Sequence, residues 1–169
     1  MASIRMPRLY IICGPAGVGK STYGKLLAAE LKACLLDSDT ATEPVVKAGM
    51  AFGGEDANDR DSQVYRDIFR LPVYECLYAT ALENLRHVDV ILVGPFTSEI
   101  RDEKWLAALG EKFRVEVEVI FVTCDEEVRL ARIRKRANPR DALKLRDWKS
   151  YLAGSDLRPP AFPHQIVCA

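Results

Sequence analysis

The stretch that decides the fold of this chain is Gly14-Pro15-Ala16-Gly17-Val18-Gly19-Lys20-Ser21, followed by Thr22. It matches the pattern G-x-x-x-x-G-K-[ST] at every defined position. Glycines in such a loop let the backbone approach a ligand closely and point successive N–H groups toward an anion. The match predicts a phosphate-binding loop formed by Gly14, Pro15, Ala16, Gly17, Val18, Gly19, Lys20, Ser21 and Thr22.

The segments on either side of this loop have the periodicity that the pattern requires. Residues 8–13 (RLYIIC) are typical of a buried strand, and residues 19–32 place leucines and alanines on one side of a helix. Further strands are predicted at 34–36, 88–93, 115–123 and 165–168. Buried strands that alternate with helices predict an α/β fold in which helices cover both faces of a parallel sheet.

Two side chains of the loop have chemistry of their own. Lys20 is expected to reach the β- and γ-phosphates of ATP as a point charge, and the Ser21 hydroxyl is expected to ligate Mg²⁺. The helix that begins at the loop adds the positive potential of its unpaired N–H groups. ATP and Mg²⁺ are therefore the predicted cofactors.

Two aspartates, Asp37 and Asp39, follow the second predicted strand. The carboxyl ends of parallel strands face the ligand crevice of such a sheet. In an extended segment the two side chains would point the same way. One could then hold Mg²⁺ while the other takes the proton from an attacking hydroxyl. An Asx-turn or a helix N-cap is the alternative explanation for them.

These motifs together resemble the small P-loop kinases: shikimate kinase, gluconate kinase, chloramphenicol phosphotransferase and especially the kinase domain of phage-type polynucleotide kinase. The matching segments also include Arg60, Asp61 and Tyr65, VILVGPFTSEIRDEKW and RLARIRKR. The resemblance implies a three-layer P-loop fold with a five-stranded parallel sheet in the order 2-3-1-4-5. It also implies that Asp39 is the general base for the acceptor hydroxyl and that Asp37 lies near Mg²⁺.

The third predicted strand departs from the pattern of many P-loop enzymes. Those enzymes end this strand with an aspartate that supports the metal, whereas this chain has Gly94 there. Asp89 lies at the start of the strand, on the wrong edge. Shikimate kinases also place glycines at this point, so the departure gives Asp37 a larger share of the metal site.

A basic segment follows the fourth predicted strand. Arg132 and Arg136 are four residues apart and share a helix face. The resemblance implies that they close over the ATP phosphates as part of a lid at about 129–141. Residues 129–149 contain nine basic and two acidic residues, a local charge of +7, which keeps polyanion binding open. Asp141, after the helix-breaking Pro139, is predicted to cap the next helix.

The acceptor is expected between the phosphate loop and an insert at about 40–66. Residues 49–62 (GMAFGGEDANDRDS) are glycine-rich and polar, which predicts a loop. Arg60 and Arg66 could clasp a carboxylate or phosphate of the acceptor, since an arginine fork matches such groups. Surface salt bridges within a helix are the alternative for these arginines.

Composition bounds the class of protein. The 169 residues fit one domain, 1–169, and 24 basic against 24 acidic residues argue against a dedicated nucleic-acid binder. The five cysteines are scattered, which favours buried free thiols in a reducing cytoplasm over a zinc site. No apolar run reaches the ~18 residues of a membrane span, so a cytoplasmic protein without membrane contact is predicted.

The sequence thus predicts an ATP-dependent kinase that transfers the γ-phosphate to a hydroxyl of a small-molecule acceptor, of unspecified identity and with an unspecified oligomeric state. The predicted catalytic residues are Lys20, Asp39, Arg132 and Arg136, and the predicted metal ligands are Ser21 and Asp37. Two alternatives stay open. One is a polynucleotide 5′-hydroxyl kinase, in which a basic groove would lead to Asp39. The other is an ATP-binding accessory protein without transfer activity.

Overall fold

The computed structural model of the chain describes residues 5–169. A parallel sheet is formed by β1 (Leu9–Cys13), β2 (Cys34–Asp37), β3 (Val90–Val93), β4 (Val117–Thr123) and β5 (Gln165–Cys168). The strands lie in the order β2-β3-β1-β4-β5, and each pairing is parallel. The predicted five-stranded sheet and its order 2-3-1-4-5 are confirmed.

Helices connect the strands and cover the sheet. They are α1 (Lys20–Leu31), α2 (Ser38–Phe52), α3 (Arg70–Asn84), α4 (Trp105–Phe113), α5 (Glu126–Arg136), α6 (Ala142–Arg146) and α7 (Trp148–Ala153). Shorter turns are a π-helix at Tyr65–Phe69 and 3-10 helices at Glu99–Arg101 and Pro139–Asp141. Among residues 5–169, no helix combines the length and the apolar character needed to cross a bilayer.

The core lies on both faces of the sheet, which gives the fold its three layers. Along β1, Leu9 and Ile11 join the larger cluster, which also contains residues of α2, α3 and α4. Tyr10 and Ile12 point to the opposite face and pack with residues of α1. All five residues of β1 are buried, which explains why this strand is a continuous apolar run rather than an alternating one.

The region after β2 differs from the prediction. The chain turns into α2 directly after Asp37, so Asp37 and Asp39 do not lie in one extended segment. The Asp37 carboxylate accepts hydrogen bonds from the amides of Asp39, at 2.9 Å, and Thr40, at 3.3 Å. It is therefore the N-cap of α2, because it satisfies amides that have no partner in the first turn. The alternative explanation given by the sequence, a helix N-cap, is correct for Asp37.

The predicted loop at 49–62 is shorter than expected. Its first four residues belong to α2, which continues to Phe52. Val46 and Met50 are one turn apart on this helix, and both are buried in the larger cluster. Burial of that helix face outweighs the low helix propensity of Gly49.

The cysteines are free, but they differ in burial. Cys13 is buried, whereas Cys76 and Cys168 are exposed and Cys34 and Cys124 are intermediate. The expectation of buried thiols is therefore wrong for Cys76 and Cys168. Burial raises the pKa of the Cys13 thiol to about 12, so this group behaves as a small apolar side chain of the core.

Candidate active site

One large cavity lies beyond the carboxyl ends of β1, β2 and β3 and has a volume of about 1130 Å³. That volume exceeds the roughly 300–1,000 Å³ typical of small-ligand sites, so the cavity can accommodate two small molecules side by side. Its loop wall consists of Gly14, Pro15, Ala16, Gly17, Gly19, Lys20, Ser21 and Thr22. Val18, the remaining predicted loop residue, is fully buried in the core, so its side chain anchors the loop from behind.

The phosphate loop has a backbone conformation that only glycine adopts without strain. Gly14, Gly17 and Gly19 have φ values of 136°, 82° and 100°. A Cβ atom at Gly17 would also lie 2.7 Å from Cγ1 of Ile133 on α5. Two constraints therefore require glycine at position 17: the positive φ angle and the close approach of α5.

Lys20 is the first residue of α1, and its side chain turns back over the loop. Its Nζ donates a hydrogen bond to the Pro15 carbonyl at 2.7 Å. Desolvation lowers the pKa of Lys20 to about 8, against the opposing effect of the negative charge of Asp39. The ammonium group is still mostly protonated at neutral pH, so a positive charge lies at the mouth of the loop.

Ser21 and Asp37 come from different elements and meet beside the loop. The Ser21 hydroxyl donates to Oδ2 of Asp37 at 2.5 Å, and Asp37 is only 6% exposed. Hydroxyl and carboxylate oxygens are the hard ligands that Mg²⁺ prefers, so the pair fits this ion. Among residues 5–169, no group of three or more His, Cys, Asp and Glu side chains could hold a metal. A cation here would take its other ligands from phosphate and water, as Mg²⁺ commonly does.

Asp39 lies in the first turn of α2 and lines the same cavity. Its side chain is 56% exposed, and its Oδ1 lies 3.0 Å from Nη1 of Arg140. Arg140 also approaches Glu43, with Nη1 and Oε1 3.5 Å apart. The carboxylate predicted to be the base is thus accessible from the cavity and paired with an arginine from the opposite wall.

The two predicted lid arginines lie on α5 and line the cavity, but their donors are directed at the protein. Arg132 donates through Nη1 to the carbonyls of Val18, at 3.0 Å, and Ala169, at 3.3 Å. Arg136 donates two hydrogen bonds, of 2.5 and 2.7 Å, to Asp141. Asp141 is only 1% exposed and occupies the predicted N-cap position of α6, but its carboxylate forms no capping hydrogen bond there.

Contacts within the protein occupy much of the basic segment at 129–149. The side chains engaged in this way are those of Arg129, Arg132, Arg136, Arg140 and Lys144. Lys144, for example, lies 3.3 Å from a carboxylate oxygen of Asp61 across the cavity mouth. Five of the nine basic side chains of this segment therefore have partners within the protein, which weakens the charge argument for the polynucleotide alternative.

On the acceptor side, Arg60 and Arg66 line the cavity as the sequence suggested. The Arg60 guanidinium lies over the Tyr65 ring, with 5.0 Å between its Cζ and the ring centroid. Arg66 donates to the Asp61 carbonyl and to Gln63. Within the described part of the chain neither arginine forms a salt bridge, so the alternative of surface salt bridging is wrong for both.

Arg129 is a site residue that the sequence did not single out. It is 3% exposed, and its Nε donates to the Ala16 carbonyl of the phosphate loop at 3.0 Å. The sequence offered one signal for it, because Arg129 precedes Arg132 by three residues and so lies one helical turn away. That spacing does not reveal which arginine is buried.

A comparison with known proteins places this chain in a family. The sequence matches a family described as AAA domain over residues 9–157, which is most of its length. The chain belongs to this AAA-domain family. Shikimate kinase from Chromohalobacter salexigens is 39% identical over 66 residues, which are 36% of this chain and 37% of that enzyme. The chain therefore matches little more than a third of the length of this relative.

Solved structures share the whole fold. A protein from Chloroflexus aurantiacus J-10-fl, itself assigned only provisionally as a kinase, has a TM-score of 0.64 and 22% identity. The match covers 99% of this chain and 86% of that one. A gluconokinase from Sinorhizobium meliloti 1021 has a TM-score of 0.60 and 18% identity, with coverage of 97% and 82%. At these identities the likeness shows the fold, and with the family match it confirms the resemblance to small P-loop kinases.

Proposed function

We propose that this AAA-domain chain is an ATP-dependent kinase that transfers the γ-phosphate to a hydroxyl group of a small-molecule acceptor. One observation carries the proposal: the phosphate loop with Lys20, the Ser21–Asp37 contact and Asp39 all face one cavity. The cavity is large enough for a nucleotide and a second molecule. Similarity to proteins named shikimate kinase and gluconokinase supports the same class of reaction.

The phosphate loop would bind the triphosphate. Its inward-facing amides and the first turn of α1 suit phosphate oxygens, and Lys20 adds a full positive charge. Ser21 and Asp37 would hold Mg²⁺, which when bound neutralises charge on the phosphate oxygens. Asp37 has a second task in the fold, since the same carboxylate starts α2 and so fixes the position of Asp39 two residues later.

Asp39 would act as the general base. The acceptor O–H bond breaks as its proton moves to the Asp39 carboxylate, and the acceptor oxygen forms a bond to the γ-phosphorus. The bond from that phosphorus to the bridging oxygen breaks, and ADP leaves. The partial exposure of Asp39 to the cavity allows an acceptor to reach it, while Arg140 forms an ion pair with the same carboxylate.

The acceptor side favours a molecule with an anionic group. Arg60 and Arg66 line this part of the cavity without a carboxylate partner among residues 5–169. Guanidinium groups in such a position match carboxylate or phosphate oxygens through parallel hydrogen bonds. A small hydroxy acid or a sugar acid therefore fits the cavity better than a neutral sugar.

The test is transfer of label from γ-labelled ATP to a panel of hydroxy acids, sugars, nucleosides and 5′-hydroxyl oligonucleotides. We expect label in a small molecule, loss of transfer in Asp39→Asn and unchanged ATP binding in that variant. Asp56→Asn is the matched control, because Asp56 is exposed and does not line the cavity. Label in oligonucleotides alone would instead identify a polynucleotide kinase. ATP binding without transfer to any compound would identify an accessory protein.

A further inference from the structure

We propose that Arg129 and Arg132 are positioning residues that orient the peptide planes of the phosphate loop by holding two of its carbonyl groups. The inference rests on the proposed function, because loop orientation matters only if the loop binds phosphate. It assigns Arg129 a role in shaping the loop. It also gives Arg132 a task other than direct contact with the phosphates.

The contacts come from one face of α5. Arg129 donates through Nε to the Ala16 carbonyl at 3.0 Å, and Arg132 donates through Nη1 to the Val18 carbonyl at 3.0 Å. Gly17 lies between these residues and is packed so closely that a Cβ atom there would be 2.7 Å from Ile133. The helix thus touches three consecutive residues of the loop from its outer side.

The geometry of the peptide bond converts these contacts into an orientation of amides. In a planar trans peptide the C=O of one residue and the N–H of the next point in opposite directions. With the carbonyls of Ala16 and Val18 turned to α5, the N–H groups of Gly17 and Gly19 face the other way, on the cavity side. Both glycines line the cavity, and within residues 5–169 their amides donate to no protein acceptor. Amides left free in this way form an anion nest.

The Arg129 side chain is buried in an environment that ion pairing does not explain. The side chain is almost fully buried, and the described residues place no carboxylate in a salt bridge with it. Its guanidinium lies over Trp148, with 5.4 Å to the ring centroid, and Nη2 is buried without a partner. Burial of an unpaired charge is costly, and an apolar side chain would fill the same space without that cost. Compared with an apolar side chain, Arg129 adds a hydrogen bond to the Ala16 carbonyl and a positive charge next to the loop.

A positioning role and a transition-state role predict different kinetics. An arginine that contacts only the transferring phosphoryl group changes kcat and leaves ADP binding intact. An arginine that orients the loop changes the dissociation constant of ADP as well, since ADP uses the same amides. ADP binding therefore separates the two roles.

Two substitutions isolate the hydrogen bond at Arg129. In Arg129→Gln the side-chain nitrogen is the same number of bonds from Cα as the arginine Nε, so a donor to Ala16 is kept. Arg129→Met has similar length and no donor. Both remove the charge and the contact with Trp148. We expect Mg²⁺-ADP to bind about tenfold more weakly to Arg129→Met than to Arg129→Gln by calorimetry, the effect of one hydrogen bond. Arg134→Met is the control, because Arg134 is exposed on the same helix.

An NMR signature distinguishes loop orientation from a general loss of stability. The amide signals of Gly17 and Gly19 are expected to shift when ADP binds to the wild-type chain. In ligand-free Arg129→Met the Gly17 signal should already be displaced, and in Arg132→Met the Gly19 signal should be displaced. Signals of α4, which packs in the larger cluster on the other face of the sheet from α1, should stay unchanged in both variants.

Equal ADP dissociation constants for Arg129→Gln and Arg129→Met would overturn the inference. If Arg129→Met does not fold, Arg132→Met tests the Val18 contact, because Arg132 is exposed and its removal leaves no cavity. Wild-type ADP binding and an unmoved Gly19 signal in that variant would also overturn it. If the wild-type chain itself does not bind ADP, the proposed function fails, which is a different result from equal affinities among variants.

Discussion

The phosphate loop (residues 14–22) and the proposed acceptor region (residues 38–70) line one cavity but are stabilised in different ways. The fully buried Val18 side chain anchors the loop in the core. On its other side, Arg129 and Arg132 of α5 donate hydrogen bonds to loop carbonyls. The acceptor region leaves Phe52 97% exposed, and Gly54 has no atom within 4 Å of a potential Cβ. The loop is therefore held on two sides, whereas part of the proposed acceptor region is exposed to solvent.

The largest effect should come from the acceptor side. Asp39→Asn keeps the size of the side chain but removes its basicity. We expect the rate of phosphate transfer to fall by about 10²–10⁴, the usual contribution of a general base. ADP affinity should stay the same, since the loop is untouched. Transfer at the wild-type rate in this variant would show that the acceptor region positions the hydroxyl without deprotonating it.

A slightly smaller effect is expected on the loop side. Lys20→Met removes the positive charge at the mouth of the loop, and transfer should fall by about 10²–10³. In contrast to Asp39→Asn, the ADP dissociation constant should rise as well. Lys25→Met is the matched control, because Lys25 is exposed on the same helix α1. Equal ADP affinity in Lys20→Met and Lys25→Met would contradict the assignment of Lys20.

Glycine substitutions compare the packing of the two regions directly. Gly17 and Gly54 have similar φ values of 82° and 78°. Substitution by alanine is therefore expected to cost about 1–2 kcal/mol of backbone strain at each position. Only Gly17→Ala also forces a clash with Ile133, which adds about 1–3 kcal/mol. Urea unfolding should therefore show the larger loss in free energy of unfolding for Gly17→Ala. Equal losses would mean that the loop and α5 can separate at little cost.

The smallest effect concerns the ion pair that joins the two walls of the cavity. Arg140→Gln removes the contact with Asp39, whose side chain is 56% exposed. Such a partly exposed pair contributes less than about 1 kcal/mol to the free energy of unfolding and is screened by salt. A double-mutant cycle with Asp39→Asn, at low and high salt, measures the coupling. A coupling above about 2 kcal/mol, twice the largest value expected for an exposed pair, would mean that Asp39 and Arg140 are held together much more strongly than a surface ion pair.

Prediction from the sequence succeeded where the signal is local. The loop motif and the apolar strands each depend on residues within one short segment. It was wrong about the segment at Asp37–Asp39, where the periodicity of a strand was extended past the point at which a helix begins. The carboxylate of Asp37 satisfies the first amides of α2, and that capping contact decides where the strand ends.

Side-chain partners were the part that could not be predicted. Asp141 was expected to cap α6, yet its buried carboxylate binds Arg136, because burial of the carboxylate requires a charged partner. Arg132 was expected to turn toward the phosphates, yet its Nη1 donates to the carbonyl of Val18. The sequence identified these residue types near the site without revealing which contacts each would make.

The sequence by itself determined the phosphate loop, the parallel five-stranded sheet and the set of charged residues near the cavity, because glycine spacing and apolar periodicity act over a few residues. Only the tertiary structure decided which charges meet. Arg129 and Ala16 are 113 residues apart in the chain, and Arg140 and Asp39 are 101 apart. Such contacts form because the order of the strands brings α5 and the segment after it beside β1 and β2, and no local pattern specifies that distance.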